Sequence, residues 1–178
     1  MLKNKIVSSR AAANLVHDGD TLIFSGFGVV GVPDELAVAL EKRFVDTGSP
    51  RGITLFFGGG PGDGKDQGAH RLAHEGLLKR VIGGHWGLVP KLGELAIANK
   101  IEAYNLPLGV ISHLYREIAA GKPGNLSPVG LGTFVDPRQQ GGRINARTTE
   151  ELVEVTTLAG REMLFYKAPR PNVAFIRG

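Results

Sequence analysis

The 178 residues include no cysteine, one tryptophan and two methionines, and aromatic residues make up only 7% of the chain. The missing cysteine excludes disulfides, a thiolate nucleophile and thiolate metal sites together. No apolar run approaches the ~18 residues that a membrane-spanning helix needs. From Met1 to Val16 there are basic residues but no continuous apolar segment of the kind a secretion signal carries, so a bacterial-type cytoplasmic protein is expected. So few aromatics leave no interleaved stacking platform for nucleic acid. The 21 Lys and Arg against 17 Asp and Glu give a net charge of +4, but the basic residues are scattered from Lys3 to Arg177, mostly singly or in pairs. Neither nucleic acid nor a membrane is expected as a partner.

What is present is 42% hydrophobic and 21% charged residues, the balance of a soluble globular protein. A chain of this length makes about one domain and needs no disulfide or metal to hold its core. Apolar runs alternate with amphipathic stretches, which predicts an α/β fold: an open, mostly parallel sheet with helices on both faces. Helices are expected over 8–16, with Ser8 or Ser9 as N-cap, and over 33–45, with Pro33 at the first position. Asp34 and Glu35 then lie in the first turn of the second helix, and Lys42 and Arg43 near its end. Further helices are expected over 69–78, 88–99 and 110–120, the last ended by Gly121 and Pro123. Strands are expected at 21–24, 53–57, 80–82 and 101–106.

After Pro123 the texture changes. Residues 122–147 are rich in Gly, Pro and Arg and show no sustained period. Runs at 152–155 and 163–166 flank Ala159-Gly160 and predict a β-hairpin, followed by a strand over 172–176. A parallel strand is normally followed by a crossover, so a single domain over 1–178 that stops here reads as cut at its C-terminal end.

The 26 glycines cluster after strands. Gly26-Phe27-Gly28-Val29-Val30-Gly31 matches the dinucleotide fingerprint between a strand and a helix. No acid closes the second strand to hold a ribose, however, and Asp34 and Glu35 stand where a pyrophosphate wants positive potential. Gly59 to Asp66 is one residue short of a Walker A loop, with Asp66 where a magnesium-binding hydroxyl is required, which rules out an NTPase. Those two loops, with Gly83-Gly84-His85-Trp86-Gly87 after the third strand, point to one shared crevice at the C-terminal end of the sheet.

The stretch from Asp18 to Pro33 resembles the α-part signature of the family I coenzyme A transferases: Asp/Asn-Gly, an apolar triplet, then Gly-Gly-Phe-x-x-x-Gly-x-Pro. Every fixed position fits except Ser25, where the family usually has glycine. His74 to Trp86 and Val129 to Arg138 are also similar to this family, more narrowly to its single-chain acyl-CoA:acetate/3-ketoacid and propionate members. The resemblance covers essentially the whole chain.

It implies exchange of CoA between a short-chain acyl-CoA and a carboxylate such as acetate or a 3-ketoacid. CoA is then a substrate, with no separate cofactor or metal. The route runs through a glutamyl-CoA thioester, whose glutamate belongs to the family's second, β-type half and lies beyond residue 178. The nearest local mimic, Glu75-Gly76, falls within the expected helix 69–78, and no catalytic residue is assigned in this chain. The resemblance further implies an acyl pocket lined by Phe27, Gly28 and Val29, with Gly59, Gly60, Leu108 and Gly109 opposite. After Asn105-Leu106-Pro107 the family often has a glutamine that donates to an oxyanion. Leu108 has no side-chain donor, so either a backbone N–H of Leu108 or Gly109 substitutes or the role is absent. Partners implied are the β-type half and further copies of the same protein.

Other residues read as structural. His70 and His74 share a helical spacing but lack the surrounding ligands of a metal site; His113 flanks a packed face. Arg138, Arg143 and Arg147 could meet CoA phosphates by charge or simply lie in a solvated loop. A different class of function, a non-catalytic CoA-binding or assembly module, is separated from a transferase by ligand protection without turnover. A sugar-phosphate enzyme on a similar scaffold rests on fold analogy alone.

Overall fold

Two short runs with no polar residue but threonine, Thr21–Phe24 (β1) and Ile53–Phe57 (β2), form the centre of the fold in a computed structural model that describes residues 5–178. Such runs are what strands covered on both faces require. With Leu78–Gly83 (β3), Glu102–Asn105 (β4) and Val173–Phe175 (β8) they make a five-stranded parallel sheet in the order β4-β3-β2-β1-β8. The chain steps outward from β1 to β4, then returns at its end to the other side of β1.

Alternating side chains feed two cores. Leu55, Phe57, Val81 and Ala103 face one layer, built with Ser9–Ala13 (α1), Asp34–Thr47 (α2) and Pro90–Ile97 (α3). Phe56, Ile82 and Tyr104 face the other, against Leu108–Ala119 (α4) and a three-stranded antiparallel sheet. Burying each large apolar side chain contributes roughly 1.5–3 kcal/mol, so the one-residue alternation fixes both faces at once. Helices therefore lie on both faces of a mostly parallel sheet, with a β-hairpin beyond, as the sequence predicts.

The antiparallel sheet has the order β5-β7-β6, from Gly124–Ser127 (β5), Val153–Leu158 (β6) and Arg161–Lys167 (β7). Its hairpin turns at Ala159-Gly160, both at positive φ (50° and 73°), as a two-residue turn between twisted strands requires. Tyr166 buries its ring and donates its hydroxyl to the Val129 carbonyl. The loop between β5 and β6 folds around Asp136, which is 1% exposed and accepts from the Gly132 and Arg138 amides and from the Arg138 guanidinium.

Several expectations are corrected. The helix expected over 69–78 is only a 3-10 turn at Ala69–Leu72. Gly68 and Gly76 both take positive φ, and Leu77-Leu78 leads into β3 instead, so Glu75-Gly76 lies in a connection. β5 falls inside the stretch expected to lack periodic structure. α1 is shorter than expected, with Ser8 as N-cap accepting from Ala11 N–H at 3.2 Å. α2 runs on to Thr47, so Lys42 and Arg43 are not in its last turn. Lys42 pairs with Asp46 one turn on instead, at 2.9 Å.

Candidate functional site

The β1, β2, β3 and β4 strands all end at the same edge, and each is followed by a glycine-containing or proline-containing loop. β1 lies where the strand order reverses, between β2 and β8. Open parallel sheets bind ligands outside the carboxyl ends of their strands at such a point.

The first loop is a tight turn: Phe27 N–H donates to Val30 O and Val30 N–H to Phe27 O, each at 3.0 Å. Gly28, at φ +56°, and Val29 form its tip. Phe27, Val29 and Val30 are 64%, 57% and 75% exposed, an apolar ridge of the kind that marks a ligand or partner surface. Ser25 holds the base of the turn, donating its hydroxyl to Gly31 O at 2.8 Å. The Ser25 Oγ in turn accepts from Arg177 N–H at 3.3 Å, just past β8.

The second loop passes beneath that ridge. Gly59 bridges to Phe27, and a Cβ there would stand 2.6 Å from the Phe27 ring. Gly60, at φ +62°, leaves room for His85, whose carbonyl oxygen would be 2.6 Å from a Cβ. The Gly58 amide meets the Tyr115 hydroxyl, which burial pushes up to about 12. In the third loop a Cβ on Gly84 would lie 2.5 Å from Gly58 O and 3.1 Å from Leu108 Cα. The Asn105 side chain, with its nitrogen turned toward the sheet, donates to the Gly83 and Gly84 carbonyls at 3.2 Å. Four loops are thus knitted by close backbone approach that only glycine permits. Gly84→Ala is expected to force β2 and α4 apart, destabilising the protein by about 1–3 kcal/mol. Thermal unfolding of the variant checks this; an unchanged midpoint would mean that the loops relax freely.

The fourth element is the start of α4. Its N-cap, Pro107, offers no side-chain acceptor, and the first amides of a helix have no partner within it. Leu108 is 39% exposed, and nothing lies within 4 Å of a Cβ placed on Gly109. Phe27, Gly59 and Gly60 therefore touch one another or a common neighbour, and Leu108 joins them through Gly84. Gly28 lies over Leu88, whose Cδ1 would be 3.6 Å from its Cβ. Val29 and Gly109 contribute by position at the rim.

The amides of the Walker-like loop are already used. Asp63 Oδ1 accepts from the N–H groups of Lys65, Asp66 and Gln67 at 2.9, 2.9 and 3.0 Å. The Gln67 amide foremost, with the other two, holds that carboxyl down at about 2. Where a phosphate would sit, the loop has its own carboxylate. Asp34, at the start of α2, accepts from Gly68 N–H at 2.7 Å and from Arg71. Burial pushes the Asp34 carboxyl up, but the Arg71 guanidinium and the Gly68 amide outweigh it and leave it below its ordinary value.

The remaining candidates are engaged elsewhere. His74 Nε2 meets Glu41 at 3.0 Å, while His70 Nε2 meets Leu88 O. Arg138 is shared between Asp136 and Glu162, and Arg143 faces Glu151. Arg147 approaches the Asn99 carbonyl, which precedes β4 and so lies at the opposite edge of the sheet from the crevice. Tyr115, Asn105 and the Asp34–Arg71 clamp were missed by sequence reasoning. Only Asn105, next to a loop already singled out, offered a signal there. Among the described residues, no helix is long and apolar enough to cross a membrane.

Comparison with known proteins places this geometry. A caffeate CoA-transferase of Acetobacterium woodii is 44% identical over 174 residues, covering 98% of this chain and 33% of that protein. The acetate CoA-transferase subunit alpha of Escherichia coli K12 is 28% identical over 177 residues, covering 99% of this chain and 70% of the subunit. The crystal structure of the acyl-CoA transferase YdiF of Escherichia coli O157:H7, as a thioester complex with CoA, superposes with a TM-score of 0.93 at 42% identity. That match covers 96% of this chain and 33% of the solved one. The chain spans about a third of the length of the caffeate CoA-transferase and of YdiF. From residue 7 to residue 178 it fits the family model for coenzyme A transferase, and the chain belongs to that family.

Proposed function

We propose that this chain is the α-type part of a transferase that exchanges CoA between a short-chain acyl-CoA and a carboxylate such as acetate or a 3-ketoacid. The observation that carries the reading is the convergence of four loops, none of which contains a glutamate, on one edge of a fold shared with CoA-transferases. The β-type half supplies the missing glutamate and covers the exposed ridge at Phe27, Val29 and Val30. The assembled protein associates into oligomers in the cytoplasm.

In this mechanism the glutamate carboxylate attacks the thioester carbonyl and the C–S bond breaks. CoA thiolate leaves, and an acyl-glutamyl anhydride remains. The thiolate then attacks the glutamyl carbonyl, releasing the first carboxylate and forming a glutamyl-CoA thioester. The incoming carboxylate repeats the two steps in reverse, so that its own acyl-CoA forms and glutamate is regenerated. Each intermediate keeps the activation of a thioester or anhydride, which a direct attack by water would lose.

This chain's part is to position the acyl group and to stabilise the oxyanions. Phe27, Gly28 and Val29 form one wall of the acyl site, with Gly59 and Gly60 beneath. The uncapped amides of Leu108 and Gly109 point from a helix N-terminus, where developing negative charge is favoured. Incubating the full-length protein with acetyl-CoA should add CoA covalently, and peptide mapping should place the adduct outside residues 1–178. An adduct on a glutamate within this chain, such as Glu75, would overturn the division of labour.

A further inference from the structure

His70 sits on the α2–α3 face of the sheet, beside the crevice loops but outside them, and is 3% exposed. Its Nε2 stands 2.9 Å from Leu88 O. A carbonyl only accepts, so that nitrogen carries the proton and donates. Nδ1 is buried without a partner. The same Leu88 carbonyl accepts from Gly64 N–H at 3.1 Å, so the β3–α3 loop is tied twice to the loop after β2. Leu88 in turn lies under the Gly28 turn. The imidazole also fills the space beside Gly62, where a Cβ would come within 3.0 Å of its Cδ2.

The backbone that carries the ring is itself fixed. Ala69 N–H donates to Pro61 O at 2.8 Å. Asp34 takes Gly68 N–H and the Arg71 guanidinium from the two sides of the same short turn. His70 is therefore delivered to Leu88 by a rigid mount.

We propose that His70 is a positioning residue for the acyl-CoA site: as a neutral imidazole it fastens the 84–89 loop to the 58–64 loop and thereby sets the height of the Gly28 turn. The inference rests on the reading of the crevice given above. Its consequence is a site that loosens in acid. Protonation would place a second N–H on Nδ1, in a buried position with no acceptor. The charged groups facing the ring are Asp63 and Asp66, which favour its charged form, and Lys91 of α3, which opposes it. Burial is the largest influence and leaves the ring below its ordinary value of 6.5. Above that ordinary value the ring is neutral whether packed or released, and the fastening is complete. As pH falls below it, a released ring takes up a proton that the packed ring refuses, so the fastening is progressively lost toward the packed-state value.

The test compares wild type, His70→Gln and His70→Ala in the full-length protein. Glutamine keeps an N–H near the position of Nε2 but does not titrate. Hydrogen exchange of peptides covering 58–64 and 84–89, corrected for intrinsic rates, reads the loops without reference to activity. His70→Gln should match wild type at pH 7.5 and lack the acid-dependent rise in exchange that wild type shows below pH 6.5. His70→Ala should exchange faster at both pH values and raise KM for acetyl-CoA about tenfold, the effect of one lost buried hydrogen bond. Identical acid-dependent exchange in wild type and His70→Gln would overturn the proposal. So would a His70→Ala variant with wild-type exchange in both peptides. If the full-length protein has no CoA-transferase activity, the function proposed above fails while the exchange comparison still decides the fastening.

Discussion

Alone, the 178-residue chain is expected to exchange no label between acetyl-CoA and a radiolabelled carboxylate, and adding the separately purified second half should restore exchange. The reason is the placement of its glutamates. None falls within the four loops at 25–32, 58–68, 84–89 and 106–109. Most are held by cations elsewhere: Glu41 by Arg71, Glu75 by Lys100, Glu102 and Glu150 by Arg80, Glu117 by Lys122, Glu162 by Arg138. Removing a covalent nucleophile costs on the order of 10⁴-fold or more, so the difference between chain and complement should span the range of the assay. Turnover by the pure chain would sink the assignment of the nucleophile to the other half. Thioester binding that stays without turnover even after the second half is added would identify a binding module instead.

A second large effect is expected from Leu108→Pro in the full-length enzyme. Proline removes the Leu108 N–H while fitting the first position of a helix. The preceding residue, Pro107, already has ψ 128°, the extended setting that a following proline demands. The substitution therefore deletes one donor with little demand on the backbone. Loss of a single oxyanion donor lowers kcat about 10²–10³-fold, with KM changing far less. Steady-state kinetics, with circular dichroism to verify the fold, reads the result. An unchanged kcat would move the role from Leu108 to Gly109 or away from this helix altogether.

Much of this architecture was legible because the central strands are covered on both sides. Thr21–Phe24 and Ile53–Phe57 have no competing reading as surface elements, and Ala159-Gly160 between two apolar runs announces its hairpin. The 69–78 segment misled because Ala69, Leu72, Ala73 and Leu77 recur at i, i+3, i+4 and i+8, the spacing of one helix face. What breaks that helix is tertiary: Asp34 draws the Gly68 amide toward α2 from 34 residues away. β5 was illegible for a related reason. Gly124-Asn125-Leu126-Ser127 has no β-branched residue, and it becomes a strand because Gly124 lets Phe165 and the Tyr166 carbonyl come close. In the site, the glycines could be located from the sequence, but what each one approaches could not. The contacts of Gly84 with Leu108 and of Gly58 with Tyr115 exist only once four strands share an edge.

The return of β8 to β1 also has a temporal meaning. Leu22 pairs with Val173 and Phe24 with Phe175, so one flank of β1 stays unpaired until residues 173–175 have been made. At ribosomal speeds of about 5–20 residues per second, that flank stays open for on the order of ten seconds after β1 emerges. It offers unpaired N–H and C=O groups throughout. Its neighbours β2, β3 and β4 can assemble in order of appearance while it waits. β8 thus closes a seam left open since β1 emerged, and until it is made that flank of β1 remains open to wrong partners.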